Sequence, residues 1–149
     1  MNVEVRLAGL AELETLAPLF DAYRQFYGQP SDLGVARTFL RERIERRESV
    51  IFIAFLESGG AAGFTQLFPS FSSVSAARTY VLNDLFVLPA ARRAGIGGHL
   101  LAAAAAFGRE VGAARLTLSA AVTNLRAQRL YEAIGWRRNP EFWEYVLPL

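Results

Sequence analysis

The residues best able to do chemistry lie between Asn83 and Leu101, where an apolar run gives way to Arg92, Arg93, Gly95, Gly97 and Gly98. Glycine lets a backbone approach a ligand closely and adopt dihedrals closed to other residues. The first turn of a helix carries N–H groups with no internal acceptor, at the positive end of its dipole. A strand, a glycine turn and a helix start in that order make a site for an anion, phosphate above all. Arg92 and Arg93 add charge that does not titrate. The plainer reading, glycines serving only a tight strand-to-helix turn, stands beside it. Two familiar phosphate loops fail, one on spacing and one on residue type. The third glycine of G-x-G-x-x-G falls on Leu100, with no acid about twenty residues further on. The Walker pattern needs a lysine, and the chain has none. A second pair lies downstream: Asn124 and Tyr131 are seven residues apart, two helical turns, so an amide and a phenol share one face. One face can follow one extended ligand, although Tyr131 also reads as an ordinary amphipathic core aromatic.

What is absent narrows the chemistry further. With 0 Cys there is no disulfide, thiolate nucleophile, cysteine zinc site or iron–sulfur cluster, and 1 His cannot build a multi-histidine metal cage. All 16 basic residues are arginine, which removes a Schiff-base lysine and a pyridoxal-phosphate anchor. The 149 residues suit one domain, 52% hydrophobic and 20% charged, too apolar for disorder and too interrupted by charge for a membrane span. The net charge of +2 does not argue for nucleic acid. Arg37, Arg41, Arg43, Arg46 and Arg47 alternate with Glu42, Glu45 and Glu48, a solvated helix face with Arg41/Glu45 and Glu42/Arg46 at supportive spacing. The N-terminal residues show no secretory pattern, and the lack of cysteine fits a reducing compartment, so the cytoplasm is the expected location.

The elements that must position these residues follow from periodicity. Residues 2–7 alternate as a half-buried strand; residues 10–27 and 31–47 read as helices, the first containing Pro18 and ending near Gly28, the second capped by Ser31 or Asp32. Residues 50–56 and 62–68 form a hairpin about Glu57-Ser58-Gly59-Gly60, and residues 69–75 read as a loop. A strand over 78–88 ends at Pro89, a helix runs from Gly95 to about Val111, a short strand covers 116–120, a helix covers 124–134, and residues 136–147 can hold a final strand or hairpin. The order βααβββαβαβ predicts an α/β (α+β) fold, a mixed sheet with helices on its faces.

Arg92, Gly95 and Gly97 fill R-x-x-G-x-G directly after an apolar strand, and Asn124 with Tyr131 forms a second signature downstream. In both the chain resembles the GNAT acetyltransferase superfamily, and the element order extends that resemblance over nearly its whole length, as one domain of residues 1–149. The resemblance implies a mixed, mostly antiparallel sheet of six to seven strands flanked by about four helices. It implies that Arg92, Arg93, Ala94, Gly95, Ile96, Gly97 and Gly98 hold the pyrophosphate of acetyl-coenzyme A, a cosubstrate, with no metal. Phe86 and Val87 would lie along the pantetheine arm and offer a main-chain N–H to the reacting carbonyl oxygen. Asn124 would hydrogen-bond the arm, and Tyr131 would be the general acid at the thioester sulfur. Members of the superfamily let an amine attack the thioester directly, so no protein nucleophile is needed.

The strand from Asn83 to Val87 is similar to that of spermidine/spermine acetyltransferases, where two successive acids occur and the first is associated with base function. Here the first position is the neutral Asn83. Asp84, a water held by Asn83, Glu141 or Glu144 then stand as proton acceptors, Asp84 preferred, and Asp84 also reads as a structural acid. The acceptor amine is expected to meet Tyr27, Tyr80 and Asp84, with Asp32, Phe68 and Phe71 as further candidates. Any single aromatic reads more simply as core or dimer contact, and His99 as a surface or packing residue. The expected partner is a small-molecule primary amine, with no nucleic acid and no membrane. The alternatives are an acyl-coenzyme A sensor and a protein N-acetyltransferase. The 68–71 loop and Phe142-Trp143-Glu144-Tyr145 offer apolar edges to a homodimer.

Overall fold

The computed structural model describes residues 2–149. The chain divides into two compact units, one running to Leu118 and the other spanning Ser119–Leu149.

In the first unit, alternation over Val3, Val5 and Leu7 yields β1 (Val3–Ala8), followed by β2 (Val50–Leu56), β3 (Ala61–Ser72), β4 (Ala77–Val87) and β5 (Leu116–Thr117). They lie in the order β1-β2-β3-β4-β5, antiparallel except for the parallel β4/β5 pair, so the sheet is mixed. Three helices belong to this unit: α1 (Leu13–Phe26), α2 (Leu33–Glu45) and α3 (Ile96–Glu110). β2 is apolar throughout because both its faces are covered. Ile51, Ile53 and Phe55 pack with Leu16, Phe20 and Leu40 of α1 and α2, while Phe52, Ala54 and Leu56 pack with Ile96 and Leu100 of α3. α1 runs through Pro18, which removes one helical hydrogen bond without ending a helix held on a packed face.

The α1–α2 connection shows how local chemistry sets the next element. Asp32 Oδ1 accepts from Val35 N at 3.0 Å and caps α2. Ser31 instead donates to Asp21 Oδ2 at 2.7 Å, and Asp21 Oδ1 accepts from Asp32 N at 2.8 Å. On α2 the expected Arg41–Glu45 pair is present at 3.9 Å. Glu42 meets Arg43 instead of Arg46, because Arg46 lies past the last helical residue, as the C-cap.

The second unit contains α4 (Leu125–Ala133), capped by Asn124, whose side-chain oxygen accepts from Ala127 N at 3.2 Å. Gly135, at φ 104, follows its end. Within this unit the rings of Tyr131 and Trp136 lie 6.2 Å apart.

Three expectations are corrected. The sheet has five strands instead of six to seven, because among the described residues no strand forms beyond Ala133. A strand is a pairing, and Phe142, Trp143 and Tyr145 remain 74–87% exposed with no ladder partner, so β-propensity alone did not make one. The strand expected over 116–120 is confined to Leu116–Thr117. Residues 69–72, expected in a loop, continue β3, and β4 returns from Ala77. Pro69 is tolerated because it lies beyond Leu67, the last β3 residue paired with β2, where β3 has a free edge.

Candidate functional site

β4 is paired with β5 only at Tyr80↔Leu116 and Val81↔Thr117. From Leu82 to Val87 no strand among the described residues pairs with that edge. The other edge is paired with β3, but the register slips: Gln66 faces Asp84 while Leu67 faces Leu82, which leaves Asn83 as the extra residue of a β-bulge. The bulge reverses side-chain parity along β4. Tyr80, before it, packs on Phe107 of α3 at 5.2 Å; Phe86, after it, packs on Tyr23 of α1 at 6.1 Å. It also determines which amides look outward. Leu88 N donates to Ala62 O at 2.8 Å, so by antiparallel alternation Phe86 is bonded to β3 while the backbone groups of Leu85 and Val87 face the open edge. Arg92 Nε donates to Val87 O at 2.8 Å, as that direction requires.

The strand ends in a short turn over Pro89–Ala91 and then in Arg93 and Gly95, both left-handed at φ 69 and φ 77. Gly95 caps α3 without a side-chain hydrogen bond. The first helical bond is His99 N to Gly95 O at 3.1 Å, so the N–H groups of Ile96, Gly97 and Gly98 have no intrahelical acceptor. The first turn contains no acid, and a Cβ at Gly95 or Gly98 would meet nothing within 4 Å. Three convergent donors at a dipole's positive end, in open space, fit a diphosphate. Arg93 is exposed and makes no ion pair among the described residues. The guanidinium of Arg92 lies over the rings of Phe26 and Phe86, at 5.5 and 5.6 Å, which joins the turn to α1.

Asp84 is 2% exposed. Its Oδ2 accepts from Gln66 Nε2 at 2.5 Å and its Oδ1 from Asn83 Nδ2 at 2.8 Å, while its carbonyl accepts from Thr65 Oγ1 at 2.8 Å. Burial raises its pKa above the ordinary 3.8, and hydrogen bonds from Asn83, Gln66 and Tyr23 partly oppose the rise. Tyr23 donates its hydroxyl to Asn83 O at 3.4 Å. Burial, with the charge of Asp84 close by, pushes the Tyr23 phenol far above its ordinary value, so it stays protonated as a donor. Gln66 Oε1 is buried and has no hydrogen-bond partner among the described residues. A carboxyl whose proton affinity is raised, at a strand bulge beside an open edge, is equipped to accept a proton.

The structure brings Asn83, Asp84, Phe86, Val87 and the turn from Arg92 to Gly98 into one continuous strand–turn–helix. Tyr27 lies beside it on the sheet's α1 face, its ring 5.0 Å from Tyr23. Tyr80 does not join them: it is 9% exposed, against α3 on the opposite face. Phe71 is exposed under the Arg78 guanidinium, Phe68 is partly buried in β3, and His99 is exposed in the first turn of α3. Asn124, Tyr131, Glu141 and Glu144 belong to the second unit. Tyr23, Gln66 and Gly63 were not singled out from sequence. Tyr23 hid in a helical stripe and Gln66 in an apolar strand. Gly63 carried a legible signal, a glycine inside a strand; a Cβ there would stand 2.5 Å from Phe86 O.

No group of three or more metal-ligating side chains occurs among the described residues, and no helix is long and apolar enough to cross a membrane. The acetyltransferase (GNAT) family profile matches residues 16–136. The chain is 48% identical over 145 residues to an uncharacterised N-acetyltransferase, YhfO, of Bacillus subtilis, covering 97% of each. The crystal structure of a probable acetyltransferase superposes with a TM-score of 0.92 at 44% identity, over 98% of this chain and 97% of that one. At 22% identity the fold alone is shared with the aminoglycoside acetyltransferase AAC(6')-Iy bound to a CoA bisubstrate analogue, TM-score 0.79, over 100% of each chain. With the strand–turn–helix in place and the family profile spanning most of its length, the chain belongs to the GNAT family of acetyltransferases, which use acetyl-coenzyme A.

Proposed function

We propose that residues 1–149 act as one catalytic domain that moves the acetyl group of acetyl-coenzyme A onto a primary amine of a small molecule. The observation that carries the reading is the set of unpaired N–H groups at Ile96, Gly97 and Gly98, one turn beyond the uncovered edge of β4. Those amides and Arg93 hold the diphosphate; the outward backbone of Leu85 and Val87 bonds the pantetheine arm and the thioester oxygen, a finer assignment than Phe86 or Val87 alike. Asn124 uses its side-chain oxygen to cap α4, so its amide N–H donors are the part suited to a pantetheine carbonyl. The cosubstrate supplies an activated acetyl group. The amine forms the new N–C bond as the C–S bond breaks; Asp84 takes the amine's proton and Tyr131 gives one to the departing sulfur. Donors aimed at developing charge are worth about 3 kcal/mol of barrier each.

Calorimetric titration with acetyl-coenzyme A tests the site. Micromolar-range binding is expected, weakened by Gly97→Trp and by removing the charges of Arg92 and Arg93; binding absent or indifferent to both changes overturns it. Tyr131→Phe is expected to lower turnover with little effect on cosubstrate affinity, and unchanged turnover removes the tyrosine from the chemistry. One observation favours a second reading, an acyl-coenzyme A sensor: Asn83 stands where a related strand carries an acid. Thiol release on adding amines separates transfer from mere binding.

A further inference from the structure

The end of α1 leaves two large aromatic side chains in water: Phe26 is 61% and Tyr27 65% exposed. They are not scattered. Phe26 and Tyr27 lie 5.2 Å apart edge to face, Tyr27 lies 5.0 Å from Tyr23, and Tyr23 and Phe26 lie 6.1 and 6.3 Å from Phe86. The group therefore runs without a break from solvent down to the strand that carries Asp84. Aromatic faces attract a cation and an apolar body together.

The charges around this group are equally selective. Asp21 accepts from Ser31, Asp32 N and Gln25, and Asp32 caps α2. Asp84, which accepts from Gln66 and Asn83, is the carboxylate to which Tyr23 is linked, through its hydrogen bond to Asn83 O. The buried Gln66 Oε1, without a partner among the described residues, adds an acceptor on the amide that holds Asp84. Arg92 lies over Phe26, so its charge disfavours a cation at the Phe26 end of the group.

We propose that Tyr23, Phe26 and Tyr27 wall an acceptor site, with Asp84 at its floor, that selects one primary ammonium carried on an aromatic or apolar body and disfavours polycations. The inference rests on the acetyl-transfer reading above and names its substrate class. Within the first unit a second ammonium would face Arg92, whereas a flat apolar body covers rings that water now wets.

Thiol release is measured with acetyl-coenzyme A and three probes: 2-phenylethylamine, n-butylamine and spermidine. The expected kcat/KM for 2-phenylethylamine exceeds that for n-butylamine by about tenfold, and that for spermidine by more. In Phe26→Ala and Tyr27→Ala the ratio of 2-phenylethylamine to n-butylamine falls to within about threefold of unity, while Tyr27→Phe retains it. Because the ratio is taken within one preparation, partial misfolding cancels. Preference for spermidine, a ratio untouched by both alanine variants, or no release from 2-phenylethylamine by a protein that binds acetyl-coenzyme A each overturns this inference alone. No binding of acetyl-coenzyme A and no release from any amine overturns the transfer reading as well.

Discussion

Gly63→Ala probes the link between packing and chemistry most directly. Gly63 faces Val87 in the β3/β4 ladder, and an added Cβ would stand 2.5 Å from Phe86 O and 3.2 Å from Val87 Cα. Ordinary contact begins at 3.4 Å, so the methyl is about 0.9 Å short of room, against backbone that cannot rotate aside. The Phe86 carbonyl belongs to the ladder side of β4, so the strands must part and the end of β4 must shift. Overpacking of this kind costs about 1–3 kcal/mol, which for a chain of this length lowers the melting temperature by about 3–10 °C. The shift falls on Val87, whose outward backbone is assigned to the reacting thioester; a misplacement near 1 Å costs about 10²-fold in turnover. Thermal melting and steady-state thiol release read the two effects. A melting temperature within about 1 °C of the parent, with turnover within about twofold, would refute both the close approach and the role of that strand end.

Three further outcomes are expected. Gly98→Ala meets nothing within 4 Å and replaces a helical glycine, so it should raise stability by about 0.5–1 kcal/mol while weakening acetyl-coenzyme A binding in calorimetry, because it adds bulk to the helix start proposed to hold the diphosphate. Asp84 holds its proton more tightly folded than unfolded, so its stabilising contribution is fully present below pH 3.8 and is lost as pH rises through its raised folded pKa. The rate should rise with pH over that same raised range; Asn83→Ala, by removing a bond that favours the carboxylate, should move the limb higher, and Asp84→Asn should abolish it, as pH–rate profiles will show. Asp21→Ala deprives Ser31 and Asp32 N of their acceptor and should cost about 1–3 kcal/mol by chemical denaturation. The Asp21 pKa is lowered, chiefly by the hydrogen bond from Ser31, so its contribution holds above pH 3.8 and is lost as pH falls through the depressed value.

Much of the first unit could be read without coordinates, because the relevant signals are local. Alternation over residues 2–7, the Asp32 cap, the Glu57–Gly60 turn and the glycine-marked start of α3 all act within a few residues, and each appears where expected. The same holds for the turn proposed to hold the diphosphate: positive φ at Gly95 and the amides after it without an intrahelical acceptor are properties of one turn. Asn124 was legible as a residue of interest, but its capping of α4 was not foreseen. The C-terminal aromatics show the limit from the other side, since residues 136–147 can hold a strand or hairpin and among the described residues none forms there.

The amino-acid order alone therefore determined the three helices of the first unit, its strands β1, β2 and β4, the glycine turn before α3 and the family, since each is written in short-range spacing that survives any change in distant packing. Only the tertiary structure decided that the bulge at Asn83 turns Asp84 toward α1 and Tyr80 toward α3, that the amides of Leu85 and Val87 look outward, and that Gly63 must lack a side chain. Those facts depend on which strand pairs with which, and in what register. A one-residue slip between β3 and β4, which no local pattern records, reverses every side chain beyond it.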